Sequence, residues 1–223
     1  MKQLADEKGS SLVYLLWILT ATIVLFLILT NIARIYIVKQ QASAAAELAA
    51  LAATGDILSV TEEGIKEYDN AMASWMAADG LSYDDPLWEE IELELDGLVA
   101  SGKTKHEAYT KVFNEKLPSL LFDVPAVVPD APPNLKDIVK SRFDTYLASR
   151  MDTTVRQIIR ENEGNDEPGH VEIVISPDKS RVEVKTDATY DTITDGSLLA
   201  SFSEDIPQKG YGPPLKYLEK ILN

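Results

Sequence analysis

A long apolar run near the N-terminus is the first pattern in the chain. No charged residue occurs between Lys8 and Arg34, and residues 12–33 are apolar at almost every position. At about 1.5 Å per residue this stretch reaches roughly 30 Å, the thickness of a bilayer core. Its apolar character continues around the whole helix, whereas soluble helices are usually striped, so we predict a membrane-spanning helix.

Two alternatives compete with a membrane span. One is the buried core helix of a soluble protein, and the other is a cleaved secretory signal. The apolar part of such a signal covers about 7 to 15 residues, which is shorter than this run. Small residues suited to cleavage occur at 42–44, but Arg34 and Lys39 lie between them and the apolar run. A membrane span therefore fits the pattern better than either alternative.

Alanine predominates soon after the apolar run. Residues 42–53 have the best helix-forming composition in the chain. We expect one rod from Ser10 to Thr54, about 65 Å long, that ends at Gly55 in the left-handed conformation. The small side chains on one face would let a partner helix approach closely, or would pack on the chain's own domain, and the pattern leaves both open. These residues are Ala42, Ala45, Ala46, Ala49 and Ala53.

Apolar residues at helical spacing continue through the middle of the chain. Capping residues or prolines mark the predicted helix starts, and glycines mark two of the stops. The expected helices cover 61–80, 86–102, 104–117 and 135–159. Four prolines between residues 122 and 133 exclude a helix there and predict an extended connector.

A turn cluster then leads into segments whose apolar positions alternate with a period of two. Residues 171–176 and 182–190 predict a hairpin with one buried face around a tight turn at 177–180. A lone hairpin is marginally stable, so it needs the helices or a further strand, for which 198–202 is the candidate. A short last helix is expected at 213–222. The predicted fold class is α+β: a long N-terminal transmembrane helix continues into an exported domain of several helices, followed by a C-terminal β-hairpin or small antiparallel sheet.

The chain is acidic, with 36 Asp and Glu against 21 Lys and Arg, a formal net charge of -15. Binding to phosphates needs a basic surface, so this charge argues against a nucleic-acid partner. The absence of Cys excludes disulfides, thiolate metal sites and Cys nucleophiles. The sequence has no serine-hydrolase elbow, phosphate loop, dinucleotide fingerprint or zinc-protease motif. We therefore predict no enzymatic activity, no cofactor and no small-molecule substrate.

The acidic segments 84–96 and 161–167 are the remaining candidates for chemistry. Calcium prefers oxygen ligands, but neither segment matches the twelve-residue calcium loop, and acidic helix faces are usually just solvated. His106 lies in a polar stretch that predicts a solvated helix start, and His170 begins a strand beside an acidic turn. We predict no metal site and no catalytic residue.

Two features that flank the apolar run resemble a known family. The polar leader 1–9 ends in Lys8 and Gly9 directly before the run, which resembles a class III (prepilin-type) leader. After the run, the stretch that contains Tyr36 and Gln41 and continues through the alanines to Thr54 resembles TadE/TadG-like proteins. Those proteins are pilin-like components of tight-adherence (Flp-type) pilus systems. Leader, span and Ala-rich continuation occur in the family's order.

The resemblance implies a domain organisation and a location. Residues 1–9 would be a leader, removed where the chain is cut between Gly9 and Ser10. Residues 10–54 would form the transmembrane and Ala-rich helix, and residues 55–223 an exported α+β domain. The N-terminus would be cytoplasmic and the C-terminal domain extracytoplasmic, with one pass through the plasma membrane. The partners would be the lipid bilayer and other pilin-like subunits or pilus-assembly membrane proteins.

Tyr14 is a departure from the family pattern. After cleavage it would be the fifth mature residue, where polymerising pilins resemble one another in carrying Glu. We therefore expect a non-enzymatic minor pilin or pseudopilin of a Flp-type pilus or of its assembly apparatus. The alternative function is a membrane-tethered extracellular binding or adhesion module, which has no need of the Lys8–Gly9 leader. A tethered hydrolase is disfavoured because the nucleophile motifs are missing.

Overall fold

The computed structural model of the chain describes residues 3–121, 133–176, 180–188 and 206–222, with side chains from residue 11 onward except that of residue 188. The elements within these ranges confirm the predicted α+β class. The helices are α1 (Gln3–Ala78), α2 (Leu87–Ala100), α3 (Lys105–Leu120), α4 (Leu135–Arg142), α5 (Ala148–Glu161) and α6 (Leu218–Leu222), with a π-helical turn (Phe143–Leu147) between α4 and α5. The strands are β1 (Glu172–Ser176), β2 (Arg181–Ala188) and β3 (Ile206–Tyr211).

Helix α1 is a continuous rod of 76 residues, which at 1.5 Å per residue is roughly 110 Å long. The predicted end at Gly55 and the predicted new start at Thr61 are both wrong. Thr61 donates its hydroxyl hydrogen to the Ile57 carbonyl at 2.7 Å, as a residue inside a helix does. Ile57 and Ile65 are fully buried, so the packed face of the helix continues past the glycine. This packing outweighs the cost of about 1 kcal/mol for an interior glycine.

The hydrophobic core is built around α1 on both sides of residue 55. Ala49, Ala53 and Ile57 of α1 belong to the same buried cluster as the strand residues Val182 and Val184. The alanines that precede residue 55 are thus part of the packed domain. A boundary at 55 divides this core.

Helices α2 and α3 begin where the sequence predicts. Pro86 precedes α2, and the buried Asp69 of α1 accepts hydrogen bonds from the backbone N–H groups of Leu87 and Trp88 at 2.9 and 2.8 Å. The N-cap residue Pro86 has no side-chain acceptor, so Asp69 accepts the hydrogen bonds that an N-cap side chain would otherwise accept. Thr104 and Glu107 form a reciprocal capping box at the start of α3.

The segment from Leu135 to Glu161 is helical throughout, but its regular winding is interrupted by the π-helical turn at 143–147. The predicted helix is therefore confirmed in position and differs in winding. Its buried face follows the predicted apolar stripe. The buried residues are Leu135, Val139, Phe143, Leu147, Met151, Val155 and Ile159.

The described strands form an antiparallel sheet in the order β1–β2–β3. The predicted hairpin is confirmed, with Ile173 opposite Val184 and Ile175 opposite Val182. The sequence pattern does not predict β3, and the third strand expected at 198–202 lies outside the described residues. The connector at 122–132 also lies outside them. The last helix, α6, is shorter than the predicted 213–222.

We expect a fragment that starts at residue 38 to fold and one that starts at residue 55 to lose its core. Removing residues 38–54 uncovers the strand residues that pack on the alanines. Each large apolar side chain contributes about 1.5–3 kcal/mol when buried, and a whole domain is stable by only about 5–15 kcal/mol. Near-ultraviolet circular dichroism and thermal unfolding of fragments 38–223 and 55–223 test this. Cooperative unfolding of the shorter fragment would contradict a core that includes the alanines.

Candidate functional site: the alanine-rich part of helix α1

The alanine stripe of α1 is covered by the chain's own domain. Its five members, together with the neighbouring Ala50, have between 0% and 1% of their surface exposed: Ala42, Ala45, Ala46, Ala49 and Ala53. Helix α5 and strands β2 and β3 contact α1. Of the two alternatives left open by the sequence, the structure shows packing on the domain. These five residues present no free surface to a partner helix.

Two glycines bring the chain at β3 into backbone contact with α1. A Cβ atom placed on Gly210 would lie 2.0 Å from the carbonyl oxygen of Ala46, and one on Gly212 would lie 2.1 Å from Oγ1 of Thr54. No side chain fits into either gap. The order of these contacts shows that the chain from Gly210 to Gly212 passes along α1 in the direction of the helix. The short side chains of the helix and the glycines of the strand segment are therefore complementary.

The segment after β3 closes the core over the same face of the helix. The backbone N–H of Gly212 donates to the Val182 carbonyl at 2.9 Å, which extends the pairing with β2. Tyr217 is fully buried, and its hydroxyl lies 3.1 Å from Oγ1 of Thr61 on α1. Burial raises the pKa of Tyr217, so the phenol stays neutral. The C-terminal segment is thus joined to α1 through apolar packing and one buried hydroxyl pair.

Two arginines join α4 and α5 to a row of acids on α1. Arg142 forms ion pairs with Glu63, at 3.2 Å, and Glu67. Arg150 lies 3.2 Å from Asp56 and 3.1 Å from Glu63. Asp56 has only 9% of its surface exposed, whereas the other groups are partly solvated. These pairs set the orientation of the helices and add modestly to stability.

The apolar run of α1 is exposed. An 18-residue window of α1 has a mean hydropathy of 2.8, and none of that window is buried. Trp17 and Phe26, for example, have 74% and 67% of their surface exposed. The predicted leader junction, Gly9 and Ser10, lies near the N-terminal end of the same helix, seven residues past its start at Gln3. The alternative of a buried core helix is therefore wrong.

Two of the acidic and histidine candidates, Glu94 and His170, form ion pairs within the domain. Lys116 pairs with Glu94 at 3.2 Å, and the ring nitrogen Nδ1 of His170 lies 2.7 Å from Asp187. His106 differs from its predicted solvated position, because the ring is half-buried beside α1 and burial lowers its pKa. Among the described residues, no group of three or more Asp, Glu, His or Cys side chains is placed to hold a metal ion.

Comparison with known proteins assigns the N-terminal part of the chain. Residues 9–61 match the model of a family described as "Putative Flp pilus-assembly TadE/G-like". This match confirms the resemblance predicted from the leader junction, the span and the Ala-rich continuation. It covers 53 of the 223 residues. No curated protein and no solved structure matches the chain.

The matched segment contains the apolar run and the whole alanine stripe. The TadE/G-like segment associates the chain with Flp pili, and the described residues include one candidate membrane-spanning helix. Sequence reasoning missed the residues that cover the stripe, above all Gly210 and Gly212. Their signal is weak, because two glycines within a Pro-containing segment are typical of loops.

We expect Gly210→Ala and Gly212→Ala each to destabilise the domain by about 1–3 kcal/mol, the usual range for overpacking, because the strand must move away from α1. Gly97→Ala in α2 is the matched control. No described atom lies within 4 Å of a Cβ at Gly97, so alanine there should stabilise by about 0.5–1 kcal/mol. Denaturant unfolding of the full chain in detergent measures all three. Equal stability of Gly210→Ala and Gly97→Ala would rule out the backbone contact.

Proposed function

We propose that this protein is a non-enzymatic, membrane-anchored pilin-like subunit of a Flp-type pilus or of its assembly apparatus, present at low copy as a minor pilin or pseudopilin. The observation that carries the proposal is an apolar helix with exposed large hydrophobic side chains within the segment matched by the pilus-assembly family model. An aqueous solvent would make such an exposed surface unfavourable, and a bilayer removes that cost.

Aromatic residues near both ends of the apolar run support the anchor. Tyr14 and Trp17 lie near one end and Tyr36 near the other, and all three are well exposed. Tyr14 and Tyr36 are separated by 22 residues, or about 33 Å of helix, which matches a bilayer with aromatic side chains at its two interfaces. Arg34 lies beside Tyr36, where a charge reaches the headgroups.

The packing of α1 argues for an uncleaved span. Cleavage at the small residues 42–44 would cut a continuous helix next to Ala45 and Ala46, which are fully buried. The new N-terminus would place a charged amine beside the core, and burying an unpaired charge costs several kcal/mol. A secretory-signal function for the run is therefore disfavoured. We place the N-terminus in the cytoplasm and the domain outside, as the resemblance implies.

Loss of pili on removal of the anchor tests the proposal. A strain that lacks this gene should lose assembled Flp pili or surface adherence, and the full chain should restore them. The fragment 38–223, sent across the membrane with a cleavable signal, should not restore them, because it lacks the span. Electron microscopy and alkaline extraction of membranes give the readouts. Normal pili in the deletion strain, with the chain still membrane-embedded, would favour a tethered binding module.

We also expect this chain not to form filaments as the sole pilin-like subunit. In a repeating filament each subunit's terminal amine is buried among packed apolar helices and needs a carboxylate partner. Tyr14 supplies a phenol in place of the carboxylate, and a phenol cannot cancel the charge of an ammonium group. The unpaired charge would cost several kcal/mol at every joint of a filament, but at most once for a single subunit.

The test expresses the chain beside the pilus-assembly proteins without other pilin-like subunits, and images the cells. Tyr14→Glu is the matched variant, since it restores the missing carboxylate at the same position. If the wild-type chain forms filaments that antibodies to it label along their whole length, the charge argument is contradicted. N-terminal sequencing of the membrane-bound chain shows whether Ser10 is the mature start.

A further inference from the structure

The side of α1 opposite the buried alanines carries an apolar stripe above the membrane. We define this outer stripe as the exposed residues Ile37, Ala44, Leu48 and Leu51 together with Gly55, which is half-buried where α3 lies beside α1. At 3.6 residues per turn these positions fall within a sector of about 60°. Ile37, Leu48 and Leu51 have 55%, 46% and 43% of their surface exposed. Leucines on an exported helix would be expected to pack, so this outer stripe needs an explanation.

Gly55 is a second, independent feature of the same stripe. It lies inside α1, where glycine is a poor helix former. In the described part of the chain, no atom lies within 4 Å of the position that a Cβ would take. The chain's own packing therefore does not require glycine there. Beside it, a cavity of about 280 Å³ opens between α1 and the residues Lys105, His106 and Tyr109 of α3. A close approach from outside the chain would account for the missing side chain.

The outer stripe is also free of charge in a strongly acidic chain. Two acidic and four basic residues precede Gln41, so 34 acidic and 17 basic residues follow. Between Ile35 and Gly55 the charged residues are Lys39 and Glu47, and neither falls within the sector of the stripe. A second copy would meet like charge over most of the exported surface. The outer stripe offers it a contact without that repulsion.

The membrane determines how a second copy can meet the stripe. The stripe continues directly from the candidate span on the same helix, so two anchored copies must lie parallel. Both spans cross the same bilayer, which places each outer stripe at the same height, from about 5 Å to about 30 Å beyond Arg34. The spacings of seven between Ala44 and Leu51 and between Leu48 and Gly55 match the repeat by which parallel helices pack.

We infer that the outer stripe is the docking face for a second copy of this chain, forming a parallel, closed dimer with each stripe residue opposite its counterpart. The inference rests on the proposed membrane anchor. It deepens that function by naming a partner and a face. A two-fold contact of this kind closes on itself and leaves no stripe free, so it does not build a filament.

Disulfide crosslinking in membranes tests the dimer, because the natural chain contains no Cys. Full-length chains with two different epitope tags are co-expressed at native level, each with the same single substitution. Leu48→Cys and Leu51→Cys should give oxidised dimers that contain both tags. Leu93→Cys is the matched control, since Leu93 is 77% exposed but lies on α2. Ile37→Cys should also give a crosslinked dimer. Adding Leu51→Glu to that variant should abolish the crosslink at residue 37, because it places a charge in the outer stripe.

Each result decides between the possibilities. Three outcomes would overturn the inference. The first is equal crosslinking at Leu93 and Leu51, and the second is no crosslinking at Leu48 and Leu51. The third is a set of crosslinked species that all lack the second tag. The last outcome would assign the face to a different protein. Alkaline extraction of the same membranes is scored separately. Release of the chain contradicts the anchor, whereas an embedded chain without crosslinks at Leu51 contradicts the docking face alone.

Discussion

The backbone contact between the segment at β3 and helix α1 is the interaction on which the rest of the fold depends. Gly210 lies against the peptide of Ala46, and Gly212 lies against Thr54. The contact is possible only because the alanines lie in the helix face that meets these glycines. Strand β2 pairs with β3 and also contacts α1 directly, and β1 pairs with β2, so the described sheet is held on α1 by this contact together with the packing of β2. A larger side chain on either surface would separate the sheet from the helix.

Attachment along the helix has a mechanical consequence. Since α1 continues without a break from the apolar run into the core, the domain is joined to the candidate span by one continuous helix. Only about eight residues, roughly 12 Å of helix, separate Arg34 from the first buried alanine, Ala42. With the proposed membrane anchor, the domain would lie close to the bilayer surface. Such a connection suits a subunit that must present a surface at a constant height and orientation relative to the membrane. A flexible linker would allow that height and orientation to vary.

The sequence was sufficient for the elements whose signal is local. The apolar helix, the α3 start at Thr104 and the β1–β2 hairpin each follow from a local pattern. The structure has the helix start and the hairpin, and it has a helix long and apolar enough to be a candidate span. The pattern failed where distant packing decides. Gly55 has the local signal of a helix stop, but buried residues on both sides keep the helix intact. Strand β3 has no alternating apolar pattern, because the position that meets α1 must be a glycine. Neither fact is visible without the partner surface.

The two faces of α1 explain why one short segment carries both small and large apolar residues. The inner face uses alanine because a backbone must approach it, and every one of those alanines is buried. The outer face instead retains Leu48 and Leu51, although alanine there would serve the helix equally well. Exposed leucines contribute nothing to the chain's own core, and Gly55 weakens the helix without relieving an internal clash. The proposed contact between copies would give these residues a physical reason, since it would bury the leucines and use the space at the glycine.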